Sequence, residues 1–105
     1  MENESVQIAK TILEQIKYFD RCALMAWGAR NFLALPESKE YRGGLRMNVN
    51  GLSFKGIVMV GLTWTDEYEV SFISKSGELQ KKYDGVYCDN LVPVIDYVEG
   101  KYEMI

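Results

Sequence analysis

Leu45 to Ser74, LRMNVNGLSFKGIVMVGLTWTDEYEVSFIS, is the stretch whose reading decides the fold. Leu45, Met47 and Val49 alternate with Arg46, Asn48 and Asn50, the pattern of a half-buried strand. Asn50-Gly51 follows, a dipeptide that tolerates the positive φ of a type I′ turn, so a tight hairpin is expected there. Phe54 to Trp64 is apolar at nearly every position. Such a strand suits the middle of a sheet with both sides covered, or an oligomer interface. The chain reverses again at Thr65-Asp66-Glu67, after which Tyr68, Val70 and Phe72 alternate with Glu67, Glu69 and Ser71. The stretch therefore reads as three strands folded back on each other.

Upstream, Val6, Ala9, Ile12, Leu13, Ile16 and Phe19 recur at three- and four-residue spacing, which predicts an amphipathic helix over 4–19 with Asn3 as its N-cap. Arg21 to Trp27, RCALMAW, is apolar almost throughout and reads as a strand ended by Gly28, a bulge or bend. Arg30 to Leu33 can extend it. Ala34 to Gly44, with Pro36 and Gly43-Gly44, reads as the longest loop, polar and mobile. Downstream, Ser76-Gly77 makes a turn, and Glu78 to Tyr83 form a short edge strand guarded by Lys81 and Lys82. Asp84-Gly85 closes the strand region. Tyr87, Leu91, Val94, Ile95, Val98 and Tyr102 then fall at helical spacing, with Asn90 as N-cap, Pro93 third in the helix and Gly100 at its end. The expected fold is α+β: an antiparallel meander sheet of four to five strands, with an N-terminal and a C-terminal helix packed on one face. A partly closed barrel is the alternative.

The 105 residues suit one domain and one core. A hydrophobic fraction of 48% with 26% charged residues is ordinary globular composition. No run approaches the roughly 20 apolar residues of a membrane helix. MENESVQIAK has no apolar core of a secretory signal, so a cytoplasmic location is expected. Cys22 and Cys88 lie among apolar neighbours and read as small core residues, as do the larger Trp27 and Trp64. Charge is uneven: residues 30–55 hold five bases against two acids, a net +3, and residues 66–105 hold four bases against nine acids, a net −5.

The chain contains no histidine, which removes the usual general base near neutral pH and the commonest metal ligand. Serine and cysteine triads in their usual form, zinc sites and phosphate-binding glycine loops have no matching motif. Asp66-Glu67-Tyr68-Glu69 is the densest acidic cluster and the one place for a cation or a carboxylate pair, though it reads first as a solvated strand face. No catalytic residue, metal ligand or cofactor is assigned. The binding residues expected are Arg30, Asn31, Tyr41, Arg42, Arg46 and Lys55, with Trp27 and Phe32 nearby. Cations there would meet phosphates and aromatics would stack on bases, although an isoelectric point near 4.9 is acidic for a nucleic-acid module.

Met25-Ala26-Trp27-Gly28-Ala29-Arg30-Asn31-Phe32, Leu62 to Phe72, and Val86-Tyr87-Cys88-Asp89-Asn90-Leu91 together resemble blocks in a family of small hypothetical proteins carried by phages and mobile elements of gut bacteria. The resemblance covers roughly residues 11–102, and Trp27 stands where the pattern expects a smaller residue. It implies a bacterial cytoplasm and brings no assigned activity or site. The expectation is a non-enzymatic binding module for a host protein, in host takeover or anti-defence. A single-stranded nucleic-acid binder using Arg30 to Lys55 is the alternative, and a homodimer is a further possibility.

Overall fold

The computed structural model describes residues 4–51 and 53–99. Helix α1 (Glu4–Phe19) is followed by a single helical turn, α2 (Ala23–Ala26). Strands β1 (Arg30–Leu35), β2 (Tyr41–Asn50), β3 (Lys55–Thr63), β4 (Tyr68–Ser74) and β5 (Leu79–Val86) come next. Helix α3 (Cys88–Ile95) runs into a 3₁₀ turn, Asp96–Glu99. The five strands form one antiparallel meander in the order β1-β2-β3-β4-β5, an open sheet rather than a barrel.

Cross-strand register explains the core. Leu45 pairs with Val60, which pairs with Val70, and Met47 pairs with Val58, which pairs with Phe72. These six side chains lie on one face and are essentially excluded from water. Ile8, Ile12 and Ile16 of α1 and Leu91 and Ile95 of α3 close over them in the same cluster. Both helices therefore cover the same face. The helix predicted over 4–19 is present, but Ile8 joins its buried stripe and Phe19 leaves it.

The run Arg21 to Trp27 is not a strand. Asp20 Oδ1 accepts the Cys22 amide at 3.0 Å, and the Ala26 and Trp27 amides close helical bonds to Cys22 and Ala23. Gly28, at φ +64, ends that turn: its amide donates to Met25 O and the Ala29 amide to Leu24 O. That pair of bonds is a Schellman cap, which needs a left-handed residue where Gly28 stands. Ala23 and Trp27, four apart, share the buried side, while Met25 faces water. Trp27 is fully buried, and its indole Nε1–H donates to Asp96 Oδ1 at 2.9 Å.

Other expectations also change. Ala34 to Gly44 is not one loop, because β1 runs to Leu35 and β2 begins at Tyr41. Gly43 and Gly44 lie inside β2, where Ile8 packs over Gly43. Asn50-Gly51 makes no type I′ turn, since neither residue has a positive φ. The Asn50 amide donates instead to Trp27 O, and a wider turn closes through Gly51 N–H to Phe54 O. Gly51 is needed for space: a Cβ there would meet Val98, whose carbonyl accepts the Ser53 and Phe54 amides. Strand β5 continues through Asp84-Gly85, absorbing Gly85 at φ +63 beside a register shift.

Helix α3 starts at Cys88 with Tyr87, not Asn90, as N-cap, so Pro93 is sixth in the helix. Its missing amide would have bonded the carbonyl of Asp89, a residue exposed to water. Tyr87 is also exposed, outside the apolar stripe. Cys22 and Cys88 are free and exposed, not core residues, because one sits in a tight turn and the other opens a helix. Trp64 is 52% exposed, because the β3–β4 turn starts there, and its indole donates to Ser38 O. Asn3, Gly100 and Tyr102 lie outside the described residues.

Trp27→Ala is expected to cost about 3–5 kcal/mol in urea unfolding, the range for emptying a buried aromatic site. Trp64→Ala should cost under about 1 kcal/mol, as for an exposed side chain.

Candidate functional site

The residues between the core positions point to the other face of the sheet, which no helix among the described residues covers. Register sets out its rows. Leu33 pairs with Arg46, which pairs with Met59, then Ser71, then Lys82. Arg30 pairs with Asn48, then Ile57, Ile73 and Leu79. Asn50 pairs with Lys55 at the end. Ile57, Met59 and Ile73 are half-buried, and Leu33 and Leu79 are more than half exposed. The face thus has an apolar centre with basic groups around it.

A polar brace crosses its other end. Tyr41 lies against Gly61, where a Cβ would collide with the tyrosine ring. Its hydroxyl donates to Glu69 Oε1 at 2.6 Å, and Lys82 Nζ sits 3.2 Å from the same oxygen. Partial burial and then the bond to Glu69 hold the Tyr41 phenol well above its ordinary 10.0. That bond is also the first cause, with Lys82 adding to it, that holds the Glu69 carboxyl below its ordinary 4.5. The acid of this face is therefore neutralised locally.

The residues expected from sequence to bind together do not form one cluster. Arg30 and Arg46 share the uncovered face, with Lys55 at its end. Tyr41 belongs to the brace. Arg42 is taken up elsewhere, bonded to Glu4 of α1 at 3.0 Å and to Asp66 of the β3–β4 turn at 2.7 Å. Asn31, at φ +57, forms the bulge of β1 and is exposed. Trp27 is in the core and unavailable for stacking, while Phe32 remains partly exposed. Among the described residues Arg30, Arg46, Lys55 and Lys75 make no ion pair.

A cleft of about 280 Å³ opens at the corner of this face, lined by Arg30, Asn48, Val49, Asn50, Gly56, Ile57 and Lys75. Among the described residues its lining contains two cations, two carboxamides and no acid. Asn48, Ile57 and Lys75 are absent from the residues expected from sequence. Alternation along β2 puts Asn48 beside Arg46, so that signal is present in the chain. Lys75 follows from the pairing of Gly56 with Ser74, which sequence does not display.

The acidic cluster disperses. Asp66 pairs with Arg42, Glu67 accepts the Tyr87 hydroxyl at 3.2 Å, and Glu69 belongs to the brace. Among the described residues no three Cys, Asp or Glu side chains gather as a metal site, and no helix is long and apolar enough to cross a membrane. No protein-family pattern, curated protein or solved structure matches the chain.

The two shifts fix a pH dependence for the brace. Glu69, depressed, contributes stability above pH 4.5 that is lost as pH falls through its lowered value; Tyr41, raised, contributes stability below pH 10.0 that is lost as pH rises toward its raised value. Tyr41→Phe should cost about 1–2 kcal/mol near pH 7, for a hydrogen bond to a charged group. Unfolding followed across pH should show that difference shrinking below pH 4.5 and above pH 10.0.

Proposed function

We propose that the chain is a non-enzymatic binding module that docks an acidic surface of a protein partner on the uncovered face of its sheet. One observation carries the reading: four cations that make no ion pair among the described residues lie around an apolar centre in a protein whose net charge is −3. Burying Leu33, Ile57, Met59 and Ile73 would supply affinity. The cations would select and steer a partner of opposite charge. A second copy on the same face would set Arg30 and Arg46 against like charges, so a different protein fits better. In the mobile-element setting that the resemblance implies, that partner is a host protein met in the bacterial cytoplasm, in host takeover or anti-defence.

Binding of single-stranded nucleic acid has less support. Arg30 and Arg46 could meet phosphates, but Trp27 is buried and the Tyr41 ring is engaged with Gly61 and Glu69. Of the three aromatics expected to stack, Trp27, Phe32 and Tyr41, Phe32 alone is left for a base.

The test compares affinity capture from bacterial lysate by the wild type, by Arg46→Glu/Met59→Asp, and by Lys17→Glu on α1, each checked for folding. A protein retained by the wild type and Lys17→Glu but lost by the face variant is the expected result. Capture indifferent to the face variant contradicts the reading. So does a single-stranded DNA gel shift at ~50 mM salt that depends on Arg30 and Arg46.

A further inference from the structure

The corner cleft has a chemistry of its own. Arg30 enters it from β1 and Lys75 from the β4–β5 turn, with β2 and β3 between them. Their backbones stand three strand spacings apart, roughly 14 Å. Two long cationic side chains from opposite sides thus line one concavity, and Asn48, Asn50 and Ile57 form the ground between them. Asn50 is fixed at the backbone by its bond to Trp27 O, and Arg30 follows the Gly28 cap by two residues. The corner is therefore held by the most deeply buried part of the fold.

We propose that this cleft is a binding site for a phosphate group, carried by a small phosphate monoester or free in solution. Arg30 supplies a planar fork of donors that matches phosphate oxygens. Lys75 supplies a point charge from the other side. Together they match a dianion in charge, and the two carboxamides add donors for a third oxygen. A carboxylate has one negative charge and two oxygens, and would leave part of this set unused. The volume, about 280 Å³, admits a phosphate with part of the molecule that bears it. The inference concerns the corner alone; Arg30, Ile57 and Lys75 also belong to the docking face, and phosphate binding is read there with no protein partner present.

The test is an amide NMR titration of the full chain at an ionic strength of ~25 mM, where such contacts are least screened. The probes are inorganic phosphate, adenosine 5′-monophosphate and adenosine. Both phosphate probes should shift the Asn48, Asn50, Gly56 and Lys75 signals saturably, and adenosine should not. The tighter of the two identifies free phosphate or a monoester as the preferred form. Arg30→Gln and Lys75→Gln should each weaken binding about tenfold, while Lys17→Gln, exposed on α1 away from the cleft, should leave it within about twofold. The proposal is overturned if neither phosphate probe gives saturable shifts by ~5 mM at constant ionic strength. It is equally overturned if adenosine shifts the same signals, or if Lys17→Gln weakens binding as much as the cleft variants.

Discussion

The buried indole of Trp27 is the joint on which the molecule turns. Its Nε1–H is satisfied by Asp96 at the start of the C-terminal 3₁₀ turn, and its carbonyl takes the Asn50 amide at the end of β2. Leaving either group unpaired in the interior would cost on the order of 1–3 kcal/mol. The two bonds tie the segment after α1 to both the C-terminal turn and the β2–β3 corner. The same turn brings Val98 down on Gly51, which only a residue without a side chain permits. Helices from the two ends of the chain are thereby held on one side of the sheet.

Because cover is one-sided, alternation along each strand divides the residues into two populations. Val58 and Val60 go under the helices, while Ile57 and Met59, alternating with them, face outward and are half-buried. The outward population sets Leu33, Ile57, Met59 and Ile73 beside Arg30, Arg46 and Lys55, more positive charge than the acidic chain would suggest. The brace of Tyr41, Glu69 and Lys82 removes the principal acid from that balance. Arg42 is bonded to Glu4 and Asp66 and strengthens the link between α1 and the β3–β4 turn rather than the basic face. Stability and binding character thus come from the same alternation, read on its two sides.

Much of this was legible in the chain. The meander follows from alternation around Leu45, Val60 and Val70, and the first helix from the spacing of Ile12 and Ile16. The departures share a cause: a local signal is put to use by a neighbour distant in the chain. Gly28 and the pair Ala23 and Trp27 spell a capped helical turn, but a short apolar run has too little period to separate helix from strand. Gly43-Gly44 and Gly51 look like loop and turn residues. The structure uses Gly43 and Gly51 for close packing against Ile8 and Val98, which sequence does not bring into view. At the candidate site Arg30 and Arg46 were readable from their position beside strands. Lys75 joined them only through register, and Arg42 left them because distant carboxylates reach it.

The central claim is that the helices cover one face of the sheet and leave the other open to solvent. A soluble paramagnetic agent added to methyl-labelled protein tests it most directly, by broadening methyl signals according to their access to solvent. The account predicts strong broadening for Met59, Ile57 and Ile73, and protection for Met47, Ile12, Ile16 and Ile95. Equal protection of Met59 and Met47 would contradict it, since both faces would then be covered.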